Sequence, residues 1–466
     1  MRRTLSLAWR NLLRNRRRSA ATLAAMALGL VTVLLFGGYV KDVHYGLQTD
    51  FVQLSGHLQL QHKDYHLLGS GNPAAYGIAD YQRIVRVVQD DPVLAPMLVV
   101  VTPTLQFGGI AGNALAGVSR TVLVDGVVVE DQNRMREWND YEFPTLTKRL
   151  SLSGTPADSV VIGTGVARVL QLCAQLNVPD CAVQAPQADA TADALPGDIA
   201  ALAQPVAKAP PDAAAQRHPR IEILAATARG APNVAGLSVL NAEYQGIKEL
   251  DDAYVGMHLA QAQKLVYGSA PPQVTAIALQ LAHTAQMPLA RARLDELLRT
   301  SLKDDPLHVL DYETLNPFYG QAISMFAAMF GFIAVLIGAI VLFTVSNTMG
   351  MAVVERTGEV GTLRAIGLRR SAIRAMFVTE GLVLGCFGAL VAIAAAMGLA
   401  WIINHVGLTW LPPGRIEPIP LAVRVGGEWG MLLGGAAVLV GVAALSAIVP
   451  AARAARMNIV DALRHA

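Results

Sequence analysis

Four stretches of this chain carry no charged side chain over the length a bilayer demands: Ser19–Val40, Asn316–Val354, Gly381–Asn404 and Trp429–Ala452. A hydrocarbon core about 30 Å thick needs ~20 apolar helical residues, so each stretch is read as a membrane span. Asn316–Val354 exceeds that need, and its excess reads as a helical extension beyond the bilayer. Ser19–Val40 is too long for a signal-peptide core and lacks a clear Ala-x-Ala site after it, so it reads as a retained anchor. Ahead of it, Leu5, Leu7, Trp9 and Leu12 alternate with Arg2, Arg3, Arg10 and Arg14. That pattern predicts an amphipathic helix over 1–18 lying on a membrane surface.

Between the first two spans the period changes. Gly56–Gln61 alternates as a half-buried strand does, and Tyr81–Gln89 has helical spacing. Leu98–Thr102 and Thr121–Val129 read as strands, while Ser159–Leu172, Ala253–Tyr267 and Val274–His308 each read as strand then helix. The chain is therefore expected to be an α-helical membrane protein with four transmembrane helices. A large mixed α/β domain, 41–315, is inserted between the first and second. Gln184–Arg217 is rich in Ala, Pro, Asp and Gln and poor in branched or aromatic residues, so 184–217 reads as a flexible insertion.

Composition agrees with a membrane protein: 53% of residues are hydrophobic and 15% charged, and a net charge of +2 gives no basic excess of the kind nucleic acid requires. The distribution of Arg is more informative than its total. Seven Arg precede Ser19 without an acid, and Arg356, Arg364, Arg369, Arg370 and Arg374 follow the second span. The bias puts both termini and the segment 355–370 in the cytoplasm. The resulting order is 1–18 on the cytoplasmic face, span 19–40, exterior domain 41–315 and span 316–354. It continues with elbow 355–370, span 371–405, exterior hairpin 406–428, span 429–452 and cytoplasmic tail 453–466.

No Gly-x-x-x-x-Gly-Lys-Ser/Thr string is present, and Gly163-Thr164-Gly165 lacks the further elements of a nucleotide loop, so it reads as a structural turn. Neither His-Glu-x-x-His nor Gly-x-Ser-x-Gly occurs. His44, His57, His62 and His66 cluster after the first span beside Asp42, Asp50 and Asp64. Their spacing is irregular, and they read as a solvated helix-to-strand connection rather than a metal site. Cys173 and Cys181 fall in the exterior domain, where a disulfide between them is expected. Glu380 lies ~13 Å along a helix begun at Ser371, at ~1.5 Å per residue. An acid at that depth is a functional candidate, with snorkelling toward Arg374 or the interface as the other reading.

The elbow carries the most specific string. Glu355-Arg356-Thr357-Gly358-Glu359-Val360-Gly361-Thr362-Leu363-Arg364-Ala365-Ile366-Gly367 is a charged, turn-rich segment between spans. Thr362–Ile366 is expected to form a short helix with Gly367 at its C-terminal left-handed position, and Ser371 to cap the next helix. This string resembles the elbow of the MacB/LolC/LolE/FtsX-like permeases, the type VII or mechanotransmission ABC transporters. Ala8–Asn15, Gly56–Asp64 and Pro450–Arg464 resemble other stretches of that family.

The resemblance implies a non-catalytic permease subunit of the bacterial inner membrane, with its large domain periplasmic. Glu355, Arg356, Glu359, Gly361, Leu363, Arg364, Ala365 and Gly367 would seat in a separate ABC ATPase, which would bind ATP and Mg; this chain would hold no cofactor or metal. A second permease, as homodimer or related heterodimer, and a periplasmic adaptor or acceptor protein are the other implied partners besides membrane lipid. The expected work is export or extraction of an amphipathic substrate: a lipoprotein, lipid, peptide or drug. The alternative is an FtsX-like scaffold that activates a periplasmic partner without transport.

Overall fold

A computed structural model describes residues 16–69, 73–143, 149–179, 218–246, 248–411 and 418–457. The amphipathic segment expected before residue 16, the insertion 184–217, Cys181 and the end of the tail lie outside the described residues. The chain divides into two compact units. One comprises 1–46, 318–410 and 419–466; the other comprises 47–317 with 411–418.

The first unit is helical. Its helices are α1 (Arg16–Ser55), α2 (Pro317–Glu355), α3 (Thr357–Ala365), α4 (Arg370–Val406) and α5 (Trp429–Arg456). Among the described residues, α1, α2, α4 and α5 are long and apolar enough to cross a membrane. α1 does not stop at Val40. It is one unbroken helix of 40 residues, about 60 Å at 1.5 Å per residue. Its last turns, from Leu47, belong to the second unit. There the Gln48 amide donates to the Tyr312 hydroxyl at 2.8 Å and the Gln53 amide to the Trp138 carbonyl at 2.7 Å.

α4 and α5 pack through small residues. A Cβ on Gly381 would meet the Ala443 carbonyl oxygen and the Ala447 Cβ at 3.0 Å, and one on Gly385 would meet Val440 Cα at 3.0 Å. Such close backbone approach is what small-residue faces permit in lipid, where apolar burial against another helix gains little. Gly430 and Gly434 on α5 have nothing within 4 Å of such a Cβ. Met26, Leu30 and Leu34 of α1, Val341 and Val345 of α2, Leu384 of α4 and Leu439 of α5 complete this core.

At the end of the helices remote from α3, the segment 421–428 lies across α1 and α4. Asn404 brackets Val423, donating to its carbonyl (3.1 Å) and accepting from its amide (2.8 Å). The Arg424 amide donates to the Gly38 carbonyl at 3.1 Å. Its guanidinium pairs with Asp42 at 2.9 Å, and the Tyr45 hydroxyl donates to Glu428 at 2.9 Å.

The second unit is built on strands β1 (Leu58–His62), β2 (Leu98–Asn113), β3 (Val118–Val127), β4 (Ser159–Gly163) and β5 (Arg220–Ala226), followed by β6 (Pro232–Glu243), β7 (Tyr254–His258), β8 (Ala276–Leu281) and β9 (Leu307–Asp311). β2 has 16 residues and pairs with three strands of one nine-stranded sheet. Its first half pairs antiparallel with β8, and the order β2-β8-β1-β9 is all antiparallel. With helices 81–89 and 287–299 between β1 and β2 and between β8 and β9, this is the βαββαβ pattern of a ferredoxin-like layer. The second half of β2 pairs with β3 on one side and β5 on the other. β3–β7, β7–β4, β4–β6 and β6–β5 then close a six-stranded ring inserted into that layer.

The sequence accounts for these elements locally. β5 alternates strictly, with Ile221, Ile223 and Ala225 inward and Arg220, Glu222 and Leu224 outward. β8 is buried along its whole length. Its single polar side chain, Gln280, donates to the Val52 and Met135 carbonyls. An amide in that position without partners would cost ~1–3 kcal/mol.

A candidate coupling elbow

α2 ends where the backbone of Arg356 leaves the helical region, at φ −109° and ψ 19°. α3 then runs from Thr357 to Ala365, which is longer than the Thr362–Ile366 turn expected from the glycines. Gly358 and Gly361 are tolerated inside it because packing supplies what their propensity lacks. Gly361 is buried, and Val360 lies in a small core with Val353, Ile373 and Phe377 of the neighbouring helices and Ala451, Ala454 and Ala455 of α5.

Two arginines fix this block from within. Arg356 is only 5% exposed, and its Nη1 donates to Glu380 Oε2 at 3.1 Å. Glu380, 3% exposed, is the one acid in α4. A buried guanidinium and a buried carboxylate each need a counter-charge, and here each supplies the other's. Glu380 therefore does not snorkel toward Arg374, which is exposed. Arg364 Nη1 donates to the Ala455 carbonyl at 2.8 Å and to that of Met457 at 3.4 Å. It thus satisfies acceptors that the end of α5 would otherwise leave open, with the charge favoured at a helix C-terminus.

The outward residues are different ones. Glu355, Glu359, Ala365, Ile366, Gly367, Leu368, Arg369 and Arg370 are exposed, whereas Leu363 is half-buried. The end of α3 is a Schellman turn: the Leu368 amide donates to the Leu363 carbonyl at 3.0 Å and the Gly367 amide to that of Arg364 at 3.1 Å. Gly367 has φ 99°, so the left-handed position expected for it is occupied. α4 starts at Arg370 after an extended Arg369, without a side-chain cap, so Ser371 does not serve in that role.

The eight residues expected to couple thus separate by direction. Arg356, Gly361 and Arg364 hold the block together. Glu355, Glu359, Ala365 and Gly367 face outward, and Leu363 lies between. Ile366 and Leu368 are not among those eight; an apolar pair beside a helix-ending glycine is the signal in the sequence that marks them.

The other candidate sites resolve into structure. The backbone amides of Thr164 and Gly165 and the Thr164 hydroxyl all donate to the Asp251 carboxylate, at 2.9, 2.8 and 2.5 Å. An internal carboxylate thus takes the place an anion would occupy at that helix start. Among the described residues no group of three His, Cys, Asp or Glu could hold a metal. His44 lies on α1, and His57 is buried rather than in a solvated connection. The Leu281 amide donates to His57 Nδ1 at 3.0 Å, so its Nε2 carries the proton and faces the Thr284 hydroxyl at 3.2 Å. An imidazole in that tautomer cannot deprotonate Thr284. Cys173 is held in a disulfide, and Cys386 is a free thiol.

These features define a multi-span membrane protein whose inter-span elbow is a rigid, inwardly ion-paired block. Residues 325–459 match the FtsX-like permease C-terminal family, and segments of the chain are similar to ABC transporter permeases of the MacB and LolC kind. The ABC transporter permease YtrF of Bacillus subtilis is 32% identical over 186 residues, 36% of this chain and 39% of the relative. The lipoprotein-releasing system transmembrane protein LolC of Neisseria meningitidis is 25% identical over 175 residues, 38% of this chain and 41% of the relative. The macrolide export ATP-binding/permease protein MacB of Hyphomonas neptunium is 32% identical over 151 residues, 32% of this chain and 20% of the relative. The matched segments therefore span about two fifths or less of these relatives.

Proposed function

We propose that this chain is the permease subunit of an ABC transporter and that α3 is the contact for a separate ATPase, where ATP and Mg are bound. The observation that carries the reading is the fixation of α3: Arg356 ties its start to α4 and Arg364 ties its end to α5. A push on α3 then moves two apolar helices as one body instead of bending a loop.

In this reading both termini and α3 face the cytoplasm and the α/β unit faces the periplasm of a bacterial inner membrane, as the Arg bias requires. That oxidising side suits the disulfide at Cys173, with Cys181 as its partner. The subunit works beside a second permease, and the moving periplasmic unit drives export or extraction of an amphipathic substrate such as a lipoprotein, lipid, peptide or drug. An adaptor or acceptor protein meets it there.

The test is mild-detergent purification of the tagged full chain from its native membrane, with mass spectrometry of what co-purifies. An ATPase carrying a phosphate-binding loop, lost with Arg364→Glu, is the expected result. Its absence under several detergents would overturn the reading.

A further inference from the structure

The proposed contact leaves open which atoms of the elbow the partner reads, and the fold separates those it can reach from those it cannot. Arg356 and Arg364, the most conspicuous charges of the motif, are spent on Glu380 and on the end of α5. Apolar exposure in the elbow is concentrated just past α3: Ile366 is 79% exposed and Leu368 41%. Glu355 and Glu359 stand exposed on one side of this pair in the chain, and Arg369 and Arg370 on the other.

This knob is rigid. Ile366 is the last residue before Gly367, and the two Schellman hydrogen bonds fix the turn that displays it. A side chain already held in place loses little further freedom on binding, so its apolar area converts to affinity with a smaller ordering cost.

We propose, resting on the reading above, that Ile366 is the anchor residue of the elbow and enters an apolar pocket of the soluble ATPase. The pocket's rim is acidic toward Arg369 and Arg370. Arg356 and Arg364 are positioning residues that orient the knob without touching the partner. A lipid surface is the competing occupant and fits less well. The exposed positions on α3 before the knob are Glu359, Thr362 and Ala365, of which only the small Ala365 is apolar, so the helix has no lipid-facing stripe, and acids are repelled by an anionic leaflet.

The experiment uses the full chain in its native membrane. Ile366→Ser removes no buried contact, so the fold is retained. The ATPase recovered with the tagged chain should fall ~10-fold or more, as for a central interface anchor. Ile366→Leu should hold most of it. A photo-crosslinking amino acid in place of Ile366 should yield an adduct with the same ATPase. Wild-type recovery with Ile366→Ser, or adducts with lipid alone, would overturn the proposal while leaving the permease reading in place. If no ATPase accompanies the unaltered chain, both fall.

Discussion

Arg356 on the break after α2 and Glu380 in α4 lie 24 residues apart in sequence and 3.1 Å apart in space, both closed off from solvent. One partner without the other is a buried, unpaired charge, which costs ~3–5 kcal/mol. Glu380→Ala should therefore lower the thermal midpoint of the detergent-solubilised chain and reduce the ATPase recovered with it. The double change Arg356→Met with Glu380→Met removes both charges and should recover much of the lost stability. Equal losses in the single and double variants would show that the pair does not act as a pair.

The glycines of α4 and α5 should respond unequally. Gly381→Leu and Gly385→Leu insert side chains where even a Cβ meets backbone at 3.0 Å, and overpacking of this kind costs ~1–3 kcal/mol. Gly430→Ala and Gly434→Ala meet nothing among the described residues and should leave the midpoint unchanged or slightly raised. A thermal scan of the four variants decides whether the α4–α5 contact is the one that depends on small residues.

The turn at Gly163–Gly165 should be among the least tolerant places in the α/β unit. A Cβ on Gly163 would stand 2.0 Å from the Asp251 carbonyl oxygen, and one on Gly165 would stand 2.0 Å from Asp252 Oδ1. Gly163→Ala must displace backbone and should reduce the folded yield of the chain. Asp251→Asn should cost ~1.5–3 kcal/mol by weakening charge-assisted bonds to four donors, the amides of Thr164, Gly165 and Gln245 and the Thr164 hydroxyl. Protease resistance of the folded chain gives the measurement.

His57 makes stability depend on pH. Burial lowers its pKa from 6.5 to about 4, so the folded state binds its proton later than the unfolded state does. Above pH 6.5 both states are neutral and nothing is lost. As pH falls from 6.5 toward 4 the unfolded state is favoured, by ~1.4 kcal/mol per pH unit, or a few kcal/mol in all. His57→Asn keeps an acceptor for the Leu281 amide and should remove this component. The gap in midpoint between wild type and variant is expected to change between pH 7 and pH 4.5; a constant gap would refute the assignment.

Much of this architecture is legible in the chain because lipid enforces long uncharged runs and sheets enforce alternation. The four spans, helix 81–89 and the strand-then-helix order near Ser159 and Ala253 follow from those two periods. The extension of α1 is not legible, because Lys41, Asp42 and His44 look like the exit from a membrane while being held on a continuing helix. Ring closure is hidden as well: β2 carries Gly108, Gly109 and Gly112, which blur the alternation where it changes partners. In the elbow the motif identifies the site but not its orientation. Arg356 looks like a surface charge until Glu380 is placed beside it.

Closing six strands into a ring also determines where the α/β unit could pair with other chains. An open sheet displays unsatisfied amides and carbonyls along both margins, an invitation to strand addition and aggregation. Among the described strands, the terminal margins of the array are β9 and the first half of β2, before β3 joins it. β9 is five residues long and passes directly into a helical turn capped by Asp311. The free margin of β2 contains Pro103, which has no amide hydrogen to donate. A unit exposed to crowded surroundings is thus guarded against templating its own copies by a short, abruptly ended strand at one border and by a single imino acid at the other.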